Sequence, residues 1–345
     1  MNRIVYSILT GALCAGLLQG CTCKRSDNKK GITIVVDKTN FKIKVDRFED
    51  DLFSVKSDSM DAGISKLKAK YGEFFELYNY KMVKIGTSSD KGYPKELHRF
   101  ITDYYMKLDY ERVKKVYPNV NALTEDLSTA FANFKEYFPK KRIPRVVTCI
   151  SGWNQSVVTS DSVLAIALDK YLGRECDFYL RLQLDNYMRY TMQREYIVPD
   201  CMRAWGYATF AFNDSVAVYN VLNNMLYEGK MLYFMKKMLP ETPDSIIFGF
   251  SPSQLKWCNK NAKSMWTYLL EYKLLFSTDY MIIRKLVFPA PFTSYFPKES
   301  PGRAVVWLGY KIIEAYMDEN QTVTLPQLME ATDYQLILRK SKFKP

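Results

Sequence analysis

Histidine is nearly absent from this chain: His98 is the one imidazole in 345 residues. The zinc pattern H-E-x-x-H therefore cannot be written here. Ser151-Gly152-Trp153 does not make a G-x-S-x-G nucleophile elbow, and it has no histidine to activate it. Glycine-rich phosphate loops, internal repeats and low-complexity runs are also missing. Asp177, Asp185 and Asp279 show no spacing that suggests a glycosidase pair. The seven cysteines contain no C-x-x-C, which removes zinc knuckles and thioredoxin-like sites from consideration. No metal and no cofactor is expected from these absences.

What is present is a large, aromatic, basic chain. It is 48% hydrophobic and carries 26 Tyr and 20 Phe, ample for a folded core. The net charge is +12. The basic residues are interspersed with acidic ones, so they read as a solvated lysine-rich surface with a weak attraction for anionic lipid or cell-wall polymer. Nucleic acid is not an expected partner.

The first twenty residues read as a signal segment. Arg3 supplies the basic start, and Ile4–Leu18 is an apolar run shorter than a membrane span needs. It ends in Leu18-Gln19-Gly20-Cys21, which resembles a bacterial lipobox. On that reading Cys21 is acylated and becomes the first mature residue, anchoring the protein in the membrane by several acyl chains. Residues 21–30 form a polar, basic tether without an acidic run. That favours the periplasmic side, with the outer membrane preferred over the inner. Cys14 belongs to the signal, and Cys23, Cys149, Cys176, Cys201 and Cys258 remain. A disulfide is permitted in this compartment, but five thiols leave at least one free.

Residues 31–345 read as one mostly helical α+β domain. Ile32–Val36 and Phe41–Val45 suggest an N-terminal strand pair around a turn at Asp37–Asn40. Amphipathic helices are expected at Ser59–Leu77, Glu96–Leu108, Asp109–Tyr117 and Leu123–Phe138. The texture changes over 143–168, where Arg145–Ile150, Ser156–Thr159 and Val163–Leu168 predict a small sheet. Helices resume at Cys176–Gln193, Asp200–Phe212, Val216–Leu239, Ser253–Phe276 and Gly302–Met317. Asp200 is the expected cap of its helix, just after Pro199. Thr324-Leu325-Pro326 opens a last helix before a basic tail at Arg339–Pro345. Trp257, Trp266 and Phe276 read as a core stripe, and Glu49-Asp50-Asp51 as an acidic helix start suited to the dipole.

The stretch Val221–Leu239 matters most. Val221, Met225, Glu228, Leu232, Met235 and Leu239 recur at steps of three and four, so they share one helix face. Five of the six are apolar. Glu228 therefore points inward, and a buried carboxylate must find a cation, donors, a metal or a proton.

A small sheet, a helix, and a second helix with an inward Glu-Gly resemble the zincin scaffold. Several short motifs sharpen the likeness. They include Asp46-Arg47-Phe48-Glu49, Leu168-Asp169-Lys170-Tyr171-Leu172-Gly173, Tyr227-Glu228-Gly229-Lys230, Trp257-Cys258-x-x-Asn261, Pro289-Ala290-Pro291-Phe292, Ser300-Pro301-Gly302-Arg303, Trp307-x-Gly309-Tyr310 and Ser341-Lys342-Phe343-Lys344-Pro345. Together they resemble the gliding-motility lipoprotein B (GldB-like) family of the Bacteroidetes, over nearly all of the mature chain. The resemblance implies an envelope lipoprotein with distant kinship to predicted zinc peptidases. Glu228 would stand at their third ligand, and the 200–212 helix where their paired histidines lie. Here Asp200-Cys201-Met202-Arg203-Ala204-Trp205 contains no histidine, and a ligand set of Glu228, Asp200 and Cys201 is a minor alternative. The expectation is a metal-free degenerate site in which Arg203 pairs with Glu228, with Arg189 and Arg194 as alternatives. The implied function is non-catalytic, through contacts with envelope proteins or a peptide. An active peptidase with unusual ligands and a cell-wall binding module are the rival readings.

Overall fold

The computed structural model describes residues 41–213 and 215–345. The signal segment, Cys21, Cys23, the tether and the expected strand at 32–36 lie outside them. The described chain is α+β: many helices around one four-stranded sheet, in the order β1-β2-β4-β3.

The sheet is built from β1 (Val45–Arg47), β2 (Arg145–Cys149), β3 (Val157–Thr159) and β4 (Val163–Ala167). The last three fall where the β-rich runs predicted them. β1 and β4 both run parallel to β2, with Val45 opposite Val146 and Arg145 opposite Val163. β3 closes one edge antiparallel to β4, Val157 facing Ile166. The run 41–44 is not a strand; β1 starts only at Val45 and draws its hydrogen bonds from β2, a hundred residues on.

Residue alternation in β2 and β4 explains why the sheet is central. Successive side chains on a strand face opposite ways. Val146, Leu164 and Ile166 join the large core under the C-terminal helices. Val147, Ala165 and Ala167 join a second core with Phe48, Phe74, Phe75 and Tyr78. Both faces are covered, which is why Val163–Ala167 is apolar at every position.

Several helix boundaries depart from the periodicity. The break expected near Leu108 falls at Asp103, whose carboxylate caps Tyr104–Val116 by accepting from the amides of Tyr105 and Met106. Cys176–Gln193 is not one helix. It is two short turns, Asp177–Arg181 and Asn186–Arg189, divided by a segment with Gln183 at a φ of 53°. Ser59–Leu77 is interrupted at Gly72, whose φ of 53° suits glycine. Ser251 and Thr324 cap their helices through full capping boxes with Gln254 and Gln327. The chain after Glu330 is not simply a basic tail: Asp333 caps another helix, Tyr334–Ser341. Trp257 and Trp266 pack on the core as expected, but Phe276 is exposed.

The helix Val221–Met238 runs through the large core and is buried almost all round, with Asn223, Asn224 and Lys230 among its buried residues. It packs against Ala304–Glu319 at unusually close range. A Cβ on Gly229 would lie 2.4 Å from the Gly309 carbonyl carbon, and one on Gly309 would lie 2.1 Å from the Met225 carbonyl oxygen. Two of the short motifs are therefore the two halves of one backbone-to-backbone contact.

Candidate functional site

Glu228 sits just beside that crossing, and its side chain is largely buried, 18% exposed. Its neighbours come from two other elements. The helix Ile197–Thr209 presents Tyr207, whose hydroxyl lies 2.9 and 2.8 Å from the two carboxylate oxygens and donates to them. From the turn before Ala304–Glu319, the Arg303 guanidinium, itself 16% exposed, hydrogen-bonds Glu228 Oε2. Burial works against the Arg303 charge. The Glu228 carboxylate and Tyr207 outweigh it and hold the guanidinium above the usual arginine range. Burial, then the Glu228 charge, pushes the Tyr207 phenol up to about 12, so it remains a donor at neutral pH.

The turn that delivers Arg303 is tightly made. Thr293 Oγ1 donates to the Pro301 carbonyl at 2.7 Å and accepts the Ala304 amide at 2.8 Å. Gly302 touches the Pro289–Phe292 segment so closely that a Cβ there would lie 1.9 Å from the Ala290 oxygen. Arg303 itself is held at a φ of 55°, a left-handed conformation that ends the turn and points its side chain at Glu228.

The predicted cation is thus replaced. Arg203 does not pair with Glu228; it donates to the Ile247 carbonyl at 3.0 Å and lies 3.9 Å from Asp200. Arg303 reaches the acid because the Gly229–Gly309 approach brings the start of its helix alongside. Arg189 is spent on the carbonyls of Leu184 and Arg174, and Arg194 lies in the short turn Arg194–Tyr196. Asp200 is not a helix cap, because the helix already starts at Ile197. Its carboxylate accepts from Tyr171 at 2.9 Å, and burial raises its pKa. Cys201 is fully buried in the core, with its thiol pushed well up by burial and then by Asp200. Neither Asp200 nor Cys201 lines the space in front of Glu228. His98 is far off, with its Nε2 2.9 Å from Ser57 Oγ. Among the described residues no three His, Cys, Asp or Glu side chains are grouped to hold a metal ion. Cys149, Cys176, Cys201 and Cys258 are free thiols.

Glu228, Tyr207, Arg303 and Arg203 open onto a cleft of about 500 Å³. Its lining is largely aromatic: Phe212, Tyr219, Tyr227 and Phe288, with Pro289 beside them. Tyr227 stacks on Tyr207 and meets Phe212 edge to face. The volume lies within the range of pockets that take small ligands. Tyr207 was within reach of sequence reasoning, since it follows Arg203 by four residues on the same helix. Arg303 carried no such signal.

A second group of buried charges escaped the sequence reading. Asp169 is fully buried and accepts from the amides of Ser151, at 3.0 Å, and Trp153, at 2.7 Å. Gly152 and Trp153 both have positive φ, which bends their loop around the carboxylate as an anion-holding nest. Asp109 is also fully buried, and neither of its oxygens has a hydrogen-bond partner among the described residues. Burial, then the charge of Asp169, raises its pKa to about 9, so it is protonated at neutral pH. Glu49 is likewise buried, against Arg47 and Thr148. Asp51 is held by Lys70 and Tyr71, so the acidic helix start is mainly an ion-pair hub.

Residues 29–345 match a family described as gliding motility protein GldB. No curated protein matches the chain, and no solved structure matches it.

Proposed function

We propose a function from the premise that this chain belongs to the gliding motility protein GldB family, which it matches over residues 29–345. The protein is a membrane-anchored envelope lipoprotein, held by an acylated Cys21 on the periplasmic side of the outer membrane. It acts without catalysis, by holding a polypeptide partner in the cleft in front of Glu228. Residues 31–345 form the single working domain, a degenerate zincin-like scaffold.

One observation carries this reading. Both oxygens of Glu228 are engaged by Tyr207, and one of them also by Arg303. A carboxylate so held is paired with a guanidinium and fixed in place by a phenol, and it lines an open aromatic cleft. The pairing favours a positioning role for the acid beside a shaped recess. Among the described residues no helix is long and apolar enough to cross a membrane.

The test uses the intact protein. Wild type and Cys21→Ser are expressed with labelled palmitate and their membrane fractions compared. Label and membrane retention are expected in the first and lost in the second. The purified protein is then incubated with unfolded casein and its products are read by mass spectrometry. No cleavage is expected; cutting that disappears in Glu228→Gln would overturn the non-catalytic reading.

A further inference from the structure

We propose that the cleft recognises the C-terminal carboxylate of an apolar polypeptide end, with Arg203 as the anion-binding residue. The proposal rests on the cleft being a binding site, and it adds the ligand's chemistry. Two of the three charges in the cleft cancel: Glu228 and Arg303 are paired with each other. Arg203 is the remainder. One of its N–H groups donates to the Ile247 carbonyl. Its Nη1 lies 3.9 Å from Asp200 Oδ1, beyond hydrogen-bond distance. Its other N–H groups meet no acceptor among the described residues. Asp200 is the carboxylate nearest to it; Tyr171 donates to that group at 2.9 Å, and Asp200 does not line the cleft. A guanidinium with free adjacent N–H groups suits a carboxylate, which it grips by two parallel bonds.

The rest of the cleft suits a peptide more than a bare anion. Phe212 and Tyr219 line the cleft, and the loop between them carries Val216 and Val218, 64% and 61% exposed. Phe288 also lines the cleft, is exposed, and packs against the exposed Tyr280. Charged groups beside exposed apolar side chains match a chain terminus: Arg203 takes the carboxylate and the apolar residues take the preceding side chains. Terminal carboxylate capture is a recurring mode of peptide recognition.

The probe is a pool of fluorescein-labelled peptides with three degenerate C-terminal residues, prepared as free acids and as amides. Fluorescence polarisation is measured with the detergent-solubilised full-length protein. Free acids are expected to bind about 10- to 100-fold more tightly than amides, as befits a charge-assisted bidentate contact. Arg203→Gln should erase that ratio, and Arg203→Lys, which keeps the charge but not the fork, should leave it intermediate. Phe288→Ser should weaken acids and amides alike. If Arg203→Gln does not fold, the Arg203→Lys ratio decides. Equal binding of acids and amides, binding of neither, or an Arg203-dependent preference for phosphatidylglycerol vesicles over the acid pool each overturns the carboxylate assignment. Cleavage of the peptides sinks the non-catalytic reading instead, so the two failures are distinguishable.

Discussion

Replacing Arg303 by glutamine distinguishes the observed pairing from the one expected of Arg203. The variant keeps a polar side chain at the same positive-φ position, so backbone strain is unchanged. What it removes is the cation facing Glu228. The two side chains are 16% and 18% exposed. That places the pair between exposed ion pairs, worth about 0–1 kcal/mol, and buried ones, where loss of one partner costs about 3–5 kcal/mol. Exposure below one fifth puts it nearer the buried case. Tyr207 still donates to the stranded carboxylate and softens the loss. The expected destabilisation is about 2–3 kcal/mol. Arg203→Gln removes one bond to a carbonyl and a long contact with Asp200, so about 1 kcal/mol is expected. Pairing Arg303→Gln with Glu228→Gln leaves no stranded charge and should recover on the order of 1–2 kcal/mol. Urea midpoints at constant m report these differences. The reasoning fails if Arg303→Gln lies within about 0.5 kcal/mol of wild type, or if Arg203→Gln is the more harmful change.

Gly309→Ala forces a Cβ to 2.1 Å from the Met225 carbonyl, so the two helices must separate. A loss of about 3 kcal/mol or more is expected, seen as a lower melting temperature or insoluble protein. Asp109 has an ordinary pKa of 3.8 and about 9 when folded. Wild-type stability should therefore fall as pH rises through that window, because the folded state retains a proton that the unfolded chain releases. Asp109→Asn should flatten this dependence and be more stable on the order of 2 kcal/mol at pH 8, by urea unfolding. Lys230 is 2% exposed, donates to the carbonyls of Met329 and Ala331, and is pushed down by burial from 10.5 to about 8. Its depressed pKa means that stability should rise between about pH 8 and 10.5. Lys230→Met should abolish that rise and, by stranding two carbonyls, cost about 2 kcal/mol at pH 7; unchanged pH dependence would refute the assignment.

Local periodicity settled a good deal of this protein from its sequence alone. Short, nearly continuous β-branched runs bounded by turn residues place β2, β3 and β4 within a residue or two of where they lie, because the sheet is covered on both faces. The three-and-four spacing around Glu228 turned it inward, and a single histidine removed the zinc pattern. Helix ends were less legible: Asp103 and Gly72 act through caps and dihedrals that a hydrophobic stripe does not register. Only tertiary structure decided which arginine meets Glu228. Arg203 shares a helix with Tyr207, but its guanidinium is drawn to the Ile247 carbonyl. Arg303, 75 residues beyond Glu228, is brought in by two glycines that let helix backbones touch. The Asp109–Asp169 cluster was hidden for the same reason. Burial of a charge depends on what packs over it, and that packing joins residues far apart in sequence, where no helical or strand period extends.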